Sequence, residues 1–221
     1  MNLLTGWLPQ SNTVNLLAGA FLLTALLVVT RRRPLEVVAA LRVNAIALAL
    51  IALTVALATG AWHIGLSAML SLVIKAGIIP WLLAGRARRM TREVRTRVSM
   101  PTGALLCGAL VVLAFSQTRE LFGQRADILA ACLPVSVAVT LIGLFVMVTR
   151  TQALMQVVGL VLLENAIFLA AVSLTYGMPL VVEAGVLLDL LAGVTVLGLF
   201  VRHLEDALGE ADTEQLTELR G

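Results

Sequence analysis

Charged side chains are scarce in this chain, at 13% of its residues against 60% hydrophobic, and that balance excludes an ordinary soluble domain. Cysteine is scarcer still. Cys107 and Cys132 both lie inside apolar runs, with no CxxC spacing and no Cys/His partner, which argues against a disulfide framework, a zinc site or an iron-sulfur cluster in this chain. Alternating apolar and polar ten-residue segments are missing, and a membrane barrel would need them because its lumen is polar. The start, Met1-Asn2-Leu3-Leu4-Thr5-Gly6-Trp7, lacks a basic n-region and a small-residue cleavage pattern after it, so the first helix is expected to be retained rather than removed as a signal peptide. The basic residues sit in short loops between apolar spans, which offers no surface for nucleic acid. Nothing supplies a nucleophile, so the chain is not expected to be an enzyme by itself.

What is present is a succession of apolar runs of about 18 to 25 residues, each long enough to cross a hydrocarbon core of roughly 30 Å as a helix. The mean hydropathy of +1.00 agrees. The expected fold class is therefore all-α, a polytopic membrane protein with about seven transmembrane helices at 12–30, 35–59, 62–85, 101–118, 128–149, 151–175 and 179–202. Arg31-Arg32-Arg33-Pro34 ends the first span, Thr59-Gly60-Ala61 turns the second, the arginine-rich run 86–97 ends the third, and Tyr176-Gly177-Met178-Pro179 turns the sixth. Pro101 and Pro179 suit first-turn positions, and Pro134, inside the fifth span, predicts a kink.

Loop charge sets the expected orientation. One side collects Arg31, Arg32, Arg33, Arg86, Arg88, Arg89, Arg92, Arg95, Arg97, Arg150 and Arg202, whereas the other has Arg119 and Arg125. The positive-inside rule then places the N-terminus in the periplasm and the C-terminus in the cytoplasm, with the chain multi-pass in a bacterial or archaeal cytoplasmic membrane. Trp7, Trp62 and Tyr176 fall near the outer interface and Trp81 near the inner one.

A weak internal similarity relates spans one to three to spans five to seven. Asn44-Ala45 and Asn165-Ala166 each precede an apolar stretch, a glycine turn (Gly60, Gly177) and a span with a mid-helix charge (Lys75, Asp189). The organisation expected is an N-terminal three-helix unit over 1–97, a connecting helix and periplasmic loop over 98–127, a second three-helix unit over 128–204, and an acidic cytoplasmic tail over 205–221.

The informative residues are the ionisable ones within the spans. Counting from the nearest loop, Lys75 lies about 16 Å deep, and Glu164 and Asp189 about 20 Å, all near the bilayer midplane. Each such charge costs roughly 2.5–3.5 kcal/mol on insertion scales, and three together about 8–10 kcal/mol, unless paired, hydrated or neutralised. A carboxylic acid held in low dielectric titrates nearer neutral pH than in water, where one proton can be taken and released. Ser67, Ser71 and Lys75 recur at i, i+4, i+8, a small polar stripe leading to the lysine. Gly185, Asp189 and Gly193 recur likewise, two glycines that would let another helix approach the acid closely. Glu183 is shallower, in the second turn of the last span.

Plainer roles stand beside these. Lys75 paired with Glu164 or Asp189 as a fixed ion pair would specify helix packing alone. Glu183 reads equally as an interfacial acid, Arg42 as a snorkelling or lipid-headgroup residue, and His63 and His203 as interfacial side chains.

The stretch Gly159-Leu160-Val161-Leu162-Leu163-Glu164-Asn165-Ala166, followed by Val182-Glu183-Ala184-Gly185 and Asp189, closely resembles the C-terminal half of component E of hydrogenase-4, a membrane subunit of group 4 nickel-iron hydrogenases. Lys75 followed by Pro80, and the terminal Leu216-Thr217-Glu218-Leu219-Arg220-Gly221, match the same family's pattern. Spans five to seven also resemble NuoK, the three-helix small subunit of complex I, and its counterpart in multisubunit cation/proton antiporters. In NuoK the acid of the sixth-span equivalent falls at the position of Val161; here it is Glu164, one helical turn further on, and Asp189 stands where NuoK has Glu.

The resemblance implies a non-catalytic subunit lying between antiporter-like membrane subunits and the membrane foot of a hydrophilic redox arm. Iron-sulfur clusters and a nickel-iron centre would then belong to partner chains, with no cofactor in this one. Glu164 and Asp189 would exchange protons, or another cation, along a hydrated axis. Lys75 would act on their charge and Glu183 would open towards the periplasm, with Ser67, Ser71, Asn165, Gly185, Gly193 and Arg42 as polar or packing support. Two other readings remain open: a structural adaptor whose charges only fix assembly, and a stand-alone small transporter or channel.

Overall fold

The computed structural model describes residues 10–60, 62–88, 94, 96–122, 132–175 and 193. The chain divides into two compact units, 1–183 and 184–221, and every helix described below belongs to the first. The expected seventh span, with Glu183, Gly185 and Asp189, and the acidic tail lie outside the described residues. So does the side chain of Ser67. Gly193 is described as a helical residue of the second unit.

Helix α1 runs Gln10–Thr30, α2 Pro34–Thr59, α3 Trp62–Ser71, α4 Ile79–Ala87, α5 Met100–Phe122, α6 Cys132–Thr149 and α7 Ala153–Thr175; a π-helical segment, Leu72–Ile78, makes one span of α3 and α4. Among the described residues six helical stretches are long and apolar enough to cross a membrane. Their boundaries follow local chemistry. Arg33 is extended, as a residue before proline must be, and Pro34 then opens α2 at a position where its missing N–H breaks no helical bond. Gly60 ends α2 at φ +67°, a left-handed conformation that a side chain would strain. At α5 the Ser99 Oγ accepts from the Thr102 N–H at 3.4 Å, and Pro101 occupies the first turn as expected. Pro134 falls in the first described turn of α6, and the residues before Cys132 lie outside the described ones. A π-helical stretch interrupts the third span.

Helices α1, α2, α6 and α7 supply most of the buried core, with Phe21, Leu41, Leu48, Ile51, Ile142, Met155, Leu162 and Leu169 fully enclosed. The most extensive pairing is α6 on α7, where the backbones meet at Gly143 and Gly159. The third span leans chiefly on α2, and α5 leaves Leu105 and Val112 exposed. Exposed apolar side chains are what a lipid-facing surface requires, since the acyl chains are as apolar as leucine.

One end of the helices is tied together by hydrogen bonds between loops. The Val94 N–H donates to the Arg32 carbonyl at 2.8 Å, and the Arg97 N–H to the Thr149 carbonyl at 3.0 Å. Arg150, in the turn between α6 and α7, is buried and its guanidinium donates to the Val29 carbonyl in the last turn of α1. Burial lowers this guanidinium from its ordinary value, yet a group titrating so high stays charged. A cation at a helix C-terminus meets the negative end of the macrodipole and an orphan carbonyl together. Arg150→Ala is expected to cost about 1.5–3 kcal/mol, the range for a hydrogen bond to a charged group, read as a lower thermal midpoint in detergent. Arg150→Lys should recover part of that loss.

Candidate functional site

The site begins with a proline. Pro80 has no N–H to give to the carbonyls four or five residues back, Ala76 and Lys75, and its ring would clash with the α-helical carbonyl. The backbone relieves this by winding wide just before it, and the Ile79 N–H reaches back five residues to the Ile74 carbonyl. Lys75 lies within this π turn. Such turns arise mostly as local bulges inside α-helices, frequently at functional sites.

Lys75 is only 2% exposed although it lies mid-span, and Ser71, one turn earlier, is buried on the same span. The Lys75 Nζ sits 5.7 Å from the centroid of the Phe168 ring of α7, within cation–π range. Phe168 is four residues beyond Glu164, on the same helical face, so Lys75 meets α7 within one turn of that acid. Glu164 itself is 8% exposed. The structure thus brings Lys75, Ser71 and Glu164 into one buried mid-span layer.

Asn44 and Asn165 complete the layer. Both are fully enclosed, and the Asn165 Nδ2 donates to the Asn44 Oδ1 at 3.0 Å, joining α7 to α2. The Asn44 Nδ2 donates in turn to the Phe21 carbonyl at 2.8 Å and to the Thr24 Oγ1 at 3.0 Å on α1. Thr24 passes its own proton to the Phe21 carbonyl at 2.9 Å. Three helices are therefore linked through amide and hydroxyl groups at about the same depth. Two buried acceptor atoms, Ser71 Oγ and Asn165 Oδ1, have no hydrogen-bond partner among the described residues. Buried polar atoms in that condition are where internal water is held in proteins.

Interhelical hydrogen bonds in lipid are worth roughly 0.6–2 kcal/mol each. Asn44→Ala removes three and strands the Asn165 amide, so a loss of about 1–3 kcal/mol in thermal unfolding is expected. A double-mutant cycle with Asn165→Ala should return a coupling of about 0.5 kcal/mol or more, as for side chains in direct contact.

Not every expected residue joins the layer. Arg42 is exposed and lines a groove on the outer side of α2 instead. Sequence reading missed Thr24 and Phe168 as members, and it noted Asn44 as a repeat marker without seeing that it bonds Asn165. The close glycine approach expected at Gly185 falls outside the described residues; among the described ones such an approach is at Gly143 and Gly159, which sequence reading did not single out. Mid-span glycines on consecutive helices were the available signal.

Among known proteins, 34% identity over 210 residues relates the chain to an uncharacterized Mycobacterium tuberculosis protein, Rv0085, covering 94% of this chain and 96% of that one. The chain belongs to the Rv0085 family. More distant similarity, 25% over 213 residues, connects this family member to hydrogenase-4 component E of Escherichia coli and of Shigella flexneri, covering 96% of this chain and 99% of theirs. With coverage this complete, the layer from Asn44 to Phe168 lies inside the length shared with the Rv0085 family and with component E alike. No family model matches the sequence. No solved structure matches it either.

Proposed function

We propose that the chain is a non-catalytic membrane subunit of a complex I-like, group 4 hydrogenase-type redox complex, and that it contributes ionisable residues to a proton or cation pathway. The observation that carries the reading is Lys75, buried mid-span in a π turn and set against α7 within one turn of Glu164. Enclosing a lysine and an acid at this depth costs several kcal/mol, and a role in moving charge gives a reason to retain them. The distant similarity to hydrogenase-4 component E supplies the kind of assembly.

In this reading the arginine-rich end faces the cytoplasm, a seventh span over 179–202 brings Asp189 to the same depth, and Glu183 opens towards the periplasm. The C-terminal three helices act like the small subunit of complex I. Glu164 and Asp189 exchange the proton, Lys75 supplies a compensating charge, and water held by Ser71, Asn165 and the carbonyls before Pro80 bridges them. Iron-sulfur clusters and the nickel-iron centre belong to partner chains; both cysteines here are buried free thiols. The partners are antiporter-like subunits, the membrane foot and the hydrophilic redox arm.

Purification of the tagged chain from its own membranes tests the assembly. Antiporter-like subunits and hydrogenase-type or quinone-oxidoreductase subunits should copurify in fixed ratio. Recovery of the chain alone, or with unrelated proteins, would reject the reading in favour of a stand-alone transporter.

A further inference from the structure

A groove of about 690 Å³ runs between α2 and the third span, and of the residues that build the polar layer only Pro80 lines it. Its α2 wall is Leu35, Val38, Ala39 and Arg42, and its far wall includes Gly77, Trp81 and Arg88. The lining is therefore apolar along its length, with two guanidinium groups. Arg88 lies just past the end of α4, at the arginine-rich end of the helices, and Arg42 lies about 12 Å along α2 from Pro34, close enough to extend towards that end. Trp81, 75% exposed, stands between them in depth, as an interfacial aromatic does.

Among the described residues no acid is paired with this charge. Glu36, the acid at the start of α2, pairs with Arg31 at 3.4 Å and Arg33 at 3.9 Å, and it does not line the groove. Among the described residues neither Arg42 nor Arg88 makes an ion pair. Two cations over an apolar trough at the membrane interface complement one molecule of matching design, with an anionic phosphodiester head and hydrocarbon chains. We propose that this groove is a binding site for an anionic phospholipid, phosphatidylglycerol or cardiolipin. Its phosphate sits between Arg42 and Arg88, and an acyl chain lies past Trp81 and Ile78 over Gly77. Arginine suits the task because its planar fork meets two phosphate oxygens at once.

Gly77, which lines the trough, gives the test a variant aimed at the groove itself. A Cβ there would meet only the Leu72 carbonyl oxygen, at 3.9 Å, an ordinary contact, so the backbone leaves room for a side chain that competes with an acyl chain. The whole complex is extracted in polymer nanodiscs, and its retained phospholipids are quantified by class for the wild type, R42Q/R88Q, Gly77→Leu and, as control, Arg33→Gln. Anionic lipid should be enriched over the bulk membrane in the wild type and in Arg33→Gln. The enrichment should fall at least about tenfold in R42Q/R88Q and be lost in Gly77→Leu, with the complex intact by size. Equal anionic lipid in the wild type and R42Q/R88Q, or no enrichment in the wild type, overturns the proposal. A photoreactive residue in place of Ile78 provides the second measurement: adducts to phospholipid support the site, and adducts to a partner protein or to a second copy of this chain overturn it.

Discussion

Glu164→Gln is expected to leave the complex assembled while cutting proton translocation per complex by at least about tenfold, equivalent to about 1.4 kcal/mol on the barrier. Glutamine keeps the size and hydrogen-bonding capacity of the side chain but cannot take up and release a proton near neutral pH. The substitution therefore separates charge transfer from packing. Lys75→Met should give a smaller loss of translocation, because methionine preserves the buried stem while removing the ammonium that faces Phe168 at 5.7 Å. Translocation is measured as acidification by inverted vesicles driven by the native electron donor, normalised to intact complex. Normal pumping per complex in Glu164→Gln would sink the pathway reading. If the same variant instead lowered the amount of intact complex, Lys75 and Glu164 would be packing groups and the chain a structural adaptor, consistent with a buried pair that specifies geometry.

The second large effect concerns the crossing of α6 and α7. A Cβ added at Gly159 would stand 2.6 Å from Met147 Cγ, 2.9 Å from the Gly143 carbonyl oxygen and 3.1 Å from the Met147 nitrogen. At Gly143 it would stand 2.9 Å from the Gly159 carbonyl oxygen and 3.1 Å from the Leu163 nitrogen. Two of these neighbours at each site are backbone, which cannot rotate away, so the helices themselves must separate. Gly159→Ala is expected to cost about 1–3 kcal/mol and Gly159→Val more, seen as loss of folded protein from the membrane. Because α7 carries Glu164, Asn165 and Phe168, the shift should also loosen the polar layer. Gly108→Ala on α5 is the control: nothing lies within 4 Å of its added Cβ, and removing a helical glycine should stabilise by up to about 1 kcal/mol. Equal behaviour of the Gly159 and Gly108 variants would show that the crossing is not close-packed in the membrane.

The arrangement of these elements explains how much could be read in advance. Helix α2 was expected over 35–59 and runs Pro34–Thr59; the third span was expected over 62–85 and runs Trp62–Ala87. Such agreement follows from two strong local rules, the length needed to cross hydrocarbon and the stops imposed by proline, glycine and arginine. The end of α5 was placed at 118 and extends to Phe122, because the polar residues Gln117–Glu120 continue the helix beyond its apolar core. Lys75, Ser71 and Glu164 were legible as candidates because polar groups in an apolar run stand out by cost alone.

Composition and spacing by themselves determined that the chain is helical and membrane-embedded, where its helices begin and end, and which side chains are too polar for their depth. Only the tertiary structure decided which of those side chains meet, Asn44 with Asn165 and Lys75 with Phe168 beside Glu164, and that Arg42 and Arg88 line one groove. Apart from the small polar stripe of Ser71 and Lys75 on the third span, apolar residues surround these helices, so little in the sequence marks which face turns inward. The choice is made by close backbone contact at Gly143 and Gly159 and by a few interhelical hydrogen bonds, which depend on a second helix being in place, and by the local turn that Pro80 forces.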